Sequence, residues 1–332
     1  MIPNPPTWIS PKIIASPNPD QCVPVSSITK PVTHTTRGFG RVAVERILEG
    51  DREAHLVLLA RGAAGTELAA HLGQGGRAVT SIPTDLLSLG SVRAAADELI
   101  QRLDTGDLPP LRGFVGNAGP LYTNNVTESP DGFEATFAVN VLANHVLLRL
   151  LQDRFKAPSR IVLTVSDAHF GDFRHNAGMM PAPSWQDPAS LARIRAFPKP
   201  NTVTAGGTAY STSKLAAIYL IHEYARRLPQ GVDIVAYNPG LVPGTGLSRE
   251  AGAAVRFVGR RIMPLMTLTP IASSQKNAGQ YLADVALGRI PAPSGSYIDR
   301  TREVSSSKES YDLDRERQLW ETVEDLSLSI AS

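Results

Sequence analysis

Tyr210 and Lys214 stand four residues apart in Tyr210-Ser-Thr-Ser-Lys214, within a helix-forming stretch from about Ala209 to Leu228. On a helix that spacing puts phenol and ammonium on one face, so both can reach one pocket. A neighbouring positive charge favours phenolate and lowers a tyrosine pKa from about 10 towards working pH. Such a group suits the delivery of a proton to a ketone oxygen. Tyr-x-x-x-Lys also arises by chance on many helices, so its weight depends on its company. Ser166 ends the candidate strand Arg160–Ser166, where a hydroxyl can hydrogen-bond a carbonyl. Asn140 lies within a long helical pattern, and Pro239-Gly240-Leu-Val242-Pro-Gly-Thr245 follows a further strand.

A second constellation lies upstream, in Thr33-His-Thr35-Thr-Arg37-Gly38-Phe39-Gly40 and the helical Arg41-Val-Ala-Val-Glu-Arg-Ile47 that follows. Glycines between a strand and a helix let the backbone approach a pyrophosphate, whose charge is favoured at the helix N-terminus. A plain turn is the alternative. Arg61 ends the next strand, where dinucleotide folds place an acidic side chain for NAD or a basic one for the 2′-phosphate of NADP. With Arg37 it offers a phosphate two guanidiniums, so NADP(H) is expected over NAD(H). Asp85-Leu86 and Gly116-Asn117-Ala118-Gly119 close two later strands and, taken singly, read as ordinary turns.

These groups need a scaffold. Short apolar runs at His55–Arg61, Arg77–Ile82, Gly113–Asn117, Arg160–Ser166, Val232–Asn238 and Gly295–Ile298 read as strands covered on both faces. Helical patterns lie between them: Val92, Ala96, Leu99 and Leu103 share one face, as do Phe133, Phe137, Val141 and Leu148 of a helix starting near Asp131. Alternating strands and helices imply βαβ units, hence one α/β, doubly wound, parallel-sheet domain of Rossmann type over residues 32–300, with helices on both faces. Residues 1–31 hold eight of the 26 prolines and read as a disordered leader. Pro31 sits where the central first strand should end, and proline is poor in a central strand. Residues 171–207, with five prolines, and 244–270 interrupt the pattern as an inserted loop and a substrate loop. Met179, Met180, Trp185, Phe197, Phe257, Met263 and Met266 in them either line an apolar pocket or simply pack the loops down. A polar connector and a helix near Asp314–Leu326 fill residues 301–332.

The order glycine-rich turn, Asp85, Asn117-Ala118-Gly119, Asn140, Ser166, Tyr210-x-x-x-Lys214, Pro239-Gly240 resembles that of the short-chain dehydrogenase/reductase family, over residues 33 to about 300. The forms Phe137-Ala-Val-Asn140-Val-Leu-Ala-Asn-His145, Ser166-Asp-Ala-His169 and Gly295-Ser-Tyr297 look like the branch of retinol dehydrogenases and light-dependent protochlorophyllide reductases. Ser166 and Tyr210 are 44 positions apart, a spacing similar to that of the protochlorophyllide reductases. Those enzymes use cysteine near the pigment, and here the single cysteine is Cys22, in the leader. A light-driven role is therefore not expected.

The resemblance implies that Tyr210 protonates a carbonyl oxygen, Ser166 orients it, Lys214 binds the nicotinamide ribose and Asn140 anchors a proton-relaying water. It also implies that Thr33, Thr35, Arg37, Gly38, Phe39, Gly40, Arg61, Asp85, Leu86, Asn117, Ala118, Gly119, Tyr210, Lys214, Pro239, Gly240, Val242 and Thr245 contact the dinucleotide. His34 departs from the pattern by occupying the first glycine position, where a side chain could crowd the phosphates or resist the backbone angles. That departure keeps a rival open: a non-catalytic, dinucleotide-sensing or interaction protein on the same fold.

Composition narrows the classes further. A net charge of +2 gives no electrostatic footprint for nucleic acid or an anionic membrane. No apolar run approaches the roughly 18 residues of a membrane span, and the proline-broken N-terminus is no secretory signal. A cytoplasmic enzyme of a small-molecule carbonyl or alcohol is the expectation, with room for a homo-oligomer. The seven histidines show no metal-ligand spacing, and His145 and His169 read as packing or loop residues.

Overall fold

The run Leu56-Val57-Leu58-Leu59 is covered on both sides: Leu56 and Leu58 join one core, Val57 and Leu59 the other, as alternation along a strand demands. The computed structural model describes residues 28–243 and 272–328. Eight strands form one sheet, ordered β3-β2-β1-β4-β5-β6-β7-β8. They are β1 (Ile28–Thr33), β2 (Ala54–Ala60), β3 (Val79–Pro83), β4 (Leu111–Gly116), β5 (Phe155–Thr164), β6 (Val232–Asn238), β7 (Tyr297–Asp299) and β8 (Arg302–Val304). Only the β7–β8 pair is antiparallel. Strand order reverses between β1 and β4, which opens a crevice beyond their carboxyl ends.

Helices α1 (Gly38–Gly50), α2 (Ala63–Leu72) and α9 (Gln275–Ala286) cover one face. The other carries α3 (Leu89–Asp104), α5 (Ala143–Leu151), α8 (Val203–Arg227) and α10 (Leu313–Leu328). Val92, Ala96 and Leu99 lie in that second core with Leu103 against it, and Phe133, Phe137, Val141 and Leu148 join it too. The doubly wound α/β expectation holds.

Several expected boundaries do not. β1 begins at Ile28, inside the stretch read as leader, and Pro31 is part of it. Thr29 N donates to Pro110 O across the β1–β4 seam at 2.9 Å. Pro31, two residues on, turns its missing donor to the same side, where the β1–β4 register shifts between Thr29 and Val32. The irregularity removes the bond a proline cannot make. The remainder of the leader, residues 1–27, lies outside the described residues.

The domain also does not end at 300. β8 lies in the expected connector, and α10 buries Leu319, Trp320 and Val323 in the main core. The helix expected from Asp131 starts later, as α4 (Ala135–Phe137), and runs through a π-helical turn (Ala138–Leu142) into α5. α8 starts at Val203 rather than near Ala209, with Thr202 Oγ1 capping Ala205 N. Gly206 and Gly207 near its start resemble breakers, yet close packing requires them. A Cβ on Gly206 would lie 2.2 Å from Tyr122 O, and one on Gly207 2.7 Å from Pro181 Cδ.

The 171–207 insertion is held against α8 instead of hanging as a loop. It forms α6 (Phe173–Asn176) and α7 (Pro188–Leu191), Ser184 N donates to Thr212 Oγ1 at 3.0 Å, and Trp185 meets Tyr219 edge-on. The expected substrate loop, residues 244–270, lies outside the described residues. Its flanks are joined by a bridge between Leu241 and Ala272.

Candidate active site

At the crevice, Thr33 Oγ1 accepts from Asn117 N at 2.9 Å and Ala118 N at 3.1 Å, tying the ends of β1 and β4 together. The Asn117 amide then spans three strand ends. Its Nδ2 donates to His34 O at 3.2 Å, and its Oδ1 accepts from Thr164 Oγ1 at 3.1 Å. Thr164 O in turn accepts from Lys214 Nζ at 2.9 Å. One hydrogen-bonded relay therefore connects the glycine-rich turn to the helix bearing Tyr210.

His34 adopts the left-handed backbone the position requires, with φ of +53°. The expected resistance to that backbone is thus overcome, at a cost of about 1–2 kcal/mol for a residue with a Cβ. Gly38 has φ of +61°, and Gly40 is needed for close approach: a Cβ there would stand 2.3 Å from His34 O and 2.5 Å from Asn117 Nδ2. Gly40→Ala should therefore lower stability by about 1–3 kcal/mol through overpacking, measurable as a lower urea midpoint. An unchanged midpoint would show that α1 does not seat on the turn this way.

The dinucleotide fits this end of the sheet. α1 starts at Arg37 with no side-chain cap and no acidic residue in its first turn, leaving its amide donors and positive dipole end for an anion. Thr35 is fully buried, and its hydroxyl has no hydrogen-bond partner among the described residues. Gly119 leaves room beside the lysine, since a Cβ there would meet Lys214 Nζ at 2.7 Å.

Ser166 and Tyr210, 44 residues apart, come close enough for the serine hydroxyl to act on the phenol's pKa. Lys214 Nζ stands 5.5 Å from the centre of the Tyr210 ring. Asn140, in the π-helical turn, donates from Nδ2 to Ser213 Oγ at 2.9 Å, and Ser213 Oγ donates to Tyr210 O at 2.7 Å. The structure thus brings Asn140, Ser166, Tyr210 and Lys214 together. Ser213 and Thr164, which hold the group in place, carry no signal in the sequence.

The electrostatics differ from expectation. Burial pushes the Tyr210 phenol up to about 12, with only the Ser166 hydrogen bond acting downwards, and burial holds Lys214 down to about 7. Lys214 does not lower the phenol, because an ammonium that loses its proton near 7 is already neutral where the phenol ionises. Desolvation penalises both charged forms and outweighs their mutual help.

His169 is a structural residue. Nδ1 lies 2.7 Å from Ser166 O, Nε2 accepts from Ser307 N at 3.1 Å, and burial keeps the ring neutral with a pKa of about 4. Two contacts between α5 and later elements define the surroundings of His145: Tyr224 Oη is 3.1 Å from Nδ1, and Glu324 Oε1 is 3.0 Å from Nε2.

Other expected contacts are peripheral. Arg61 is 65% exposed, with Nη1 3.9 Å from Asp85 Oδ1 at the edge of the crevice. Arg37 is exposed at the start of α1. Leu86 and Phe39 pack against the two cores. Pro239 and Val242 are buried, Gly240 has φ of +70°, and Thr245 lies outside the described residues. Among the described residues no group of three or more His, Cys, Asp or Glu could hold a metal ion. No described helix is long and apolar enough to cross a membrane.

A family model described as short chain dehydrogenase matches residues 31–178. A provisionally named daunorubicin C-13 ketoreductase of Streptomyces sp. (strain C5) is 30% identical over 272 residues, spanning 79% of this chain and 85% of its own. Retinol dehydrogenase 13 of Mus musculus is 32% identical over 241 residues, spanning 71% of this chain and 64% of its own. A solved short-chain dehydrogenase of Burkholderia cenocepacia J2315, in complex with NADP, matches the fold with a TM-score of 0.57. That match has 20% identity and covers 82% of this chain and 96% of that one.

Proposed function

The chain belongs to the short-chain dehydrogenase/reductase family, and we propose that it is an NADPH-dependent oxidoreductase interconverting a carbonyl and an alcohol on an apolar small molecule. The observation that carries this reading is the convergence of Tyr210, with Ser166 close to its phenol, on a buried Lys214 whose Nζ lies 5.5 Å from the tyrosine ring. A dinucleotide held by these residues would supply the hydride that a carbonyl carbon receives. Tyr210 donates its phenolic proton to the carbonyl oxygen, and Ser166 Oγ hydrogen-bonds and polarises that oxygen. Lys214 would donate to the nicotinamide ribose of a bound dinucleotide. Asn140, whose Oδ1 is buried with no hydrogen-bond partner among the described residues, anchors a proton-relaying water. Thr33, Thr35, Gly38, Gly40, Asn117, Ala118 and Gly119 seat the dinucleotide, and Pro239, Gly240 and Val242 flank its nicotinamide end. The daunorubicin and retinol names of the relatives, together with Met180 against Gly207 of α8, favour an apolar substrate.

Titration of the purified protein with NADPH and NADH, followed by a panel of apolar ketones and aldehydes, tests the reading. NADPH should bind more tightly, because Arg37 and Arg61 can both reach a 2′-phosphate. Arg61→Asp should weaken NADPH by about 10-fold, the scale of one charge-assisted hydrogen bond, and leave NADH equal or better. Equal affinities in the unaltered protein would end the NADP assignment. Binding without turnover of any substrate would favour the sensing role, and no binding of either dinucleotide the interaction role.

A further inference from the structure

Glu134 is 1% exposed and has no part in the proposed chemistry. Its Oε2 accepts from Phe137 N at 2.7 Å, capping the helical run that carries Asn140. Its Oε1 closes no hydrogen bond among the described residues. Asn125 and Thr136 lie close enough to lower its pKa, yet burial dominates and raises it. Asn125 Nδ2 and Thr136 Oγ1 likewise lack a bond of ordinary geometry.

Three parts of the molecule meet here. Glu134 N donates to Ala192 O at 2.8 Å, in the insertion, and Asn125 Oδ1 accepts from Phe197 N at 3.2 Å. Glu134 and, from α8, Thr212 and Ser213 line one small space of about 10 Å³, with Phe137, Leu191, Phe197 and Ala209 as its apolar walls. That is about the room one water needs, and the polar partners a buried water requires are present. A wholly apolar space of that size would stay dry, whereas one lined by a carboxyl group with an unpaired oxygen and by hydroxyl-bearing residues attracts an occupant.

We propose that Glu134 and Ser213 hold one buried water between them, and that through it Glu134 is a positioning residue for the Asn140–Ser213–Tyr210 contacts. The water accepts from or donates to Glu134 Oε1 and hydrogen-bonds Ser213 Oγ, which already accepts from Asn140 and donates to Tyr210 O. The insertion, the π-helical turn and α8 are thereby held in one register. The kinetic part of this inference rests on the proposed reductase activity; the water itself does not.

A high-resolution crystal structure of the full chain should show an ordered water within hydrogen-bond distance of the Glu134 carboxyl and Ser213 Oγ, lost in Ser213→Ala. A dry or collapsed space overturns the proposal, whether or not the protein proves to be a reductase. In turnover, Glu134→Gln keeps both the cap and a polar partner for the water, and should stay within about 3-fold of the parent kcat. Glu134→Leu should lose at least about 10-fold in kcat with the NADPH KM nearly unchanged, the scale of a loosened supporting shell. A purely structural cap would lower the melting temperature of Glu134→Leu and leave kcat at the parent value; that result overturns the proposal, as does a Gln variant no better than Leu. If Glu134→Leu does not fold, the presence or absence of the ordered water in the parent crystal structure decides the proposal by itself.

Discussion

Tyr210→Phe should reduce turnover of any accepted carbonyl substrate by at least about 100-fold, the scale of general acid catalysis, while leaving NADPH affinity within about twofold. The substitution removes one hydroxyl and no packing volume from a side chain that is 8% exposed. That hydroxyl engages Ser166, and the ring remains beside Lys214. Because burial pushes the phenol up to about 12, Tyr210 keeps its proton throughout the neutral range and stays available as a donor for reduction. Oxidation of an alcohol needs the phenolate, so the reverse rate should climb as pH rises towards that value. Single-turnover reduction beside a direct NADPH titration makes the measurement. A Phe variant that turns over like its parent would remove Tyr210 from the chemistry, and one that loses cofactor binding would assign it a structural part.

Lys214→Met should abolish turnover and weaken NADPH binding, yet make the ligand-free protein more stable. Lys214 is 2% exposed, with its ammonium on Thr164 O and its pKa held down to about 7 by burial, against an ordinary 10.5. Between those values the unfolded chain binds the extra proton and the folded chain does not, so Lys214 costs stability increasingly as pH falls from about 10.5 to 7. Below about 7 both states are charged, and the cost stays at its full value. Methionine removes the cost. After discounting the lost hydrogen bond to Thr164, the variant should be more stable by about 1–3 kcal/mol at pH 7, with the gain vanishing above about pH 10.5. Urea unfolding at pH 7 and pH 10.5 reads this directly. A Met variant less stable than its parent at pH 7 would mean that the buried ammonium is well compensated and the site is not strained for function.

The same lysine shows where sequence reasoning reached and where it stopped. That Tyr210 and Lys214 share a face follows from helix geometry alone, since residues four apart on any α-helix are neighbours. The strands around Leu56–Leu59 and Val232–Asn238, and the helix face of Val92, Ala96 and Leu99, were equally legible, because periodicity in a short window reports burial directly. The sign of the electrostatics was not. It depends on how much water the whole fold removes from both groups, and that is a sum over elements far apart in sequence.

Pro31 makes the same point in the backbone. Read locally, proline argues against a central strand, and the chain before Gly38 looked out of place. Its tolerance rests on a register shift against β4, some 80 residues later, which no local window contains. Gly206 and Gly207 lie at the start of α8 because the Tyr122–Asn124 backbone and Pro181 come too close for a side chain there, contacts that the sequence does not display. Likewise, Ser166 and Tyr210 could be paired only by resemblance, because nothing within the 43 intervening residues dictates that they touch. Periodicity and motif order in the chain were enough for the central strands, most of the helices, their succession and the chemical types of the site. Tertiary structure alone decided which of those groups meet, what holds them and which charge state burial permits, because contacts between distant segments and removal from water are properties of the assembled sheet and helices, not of any stretch of chain.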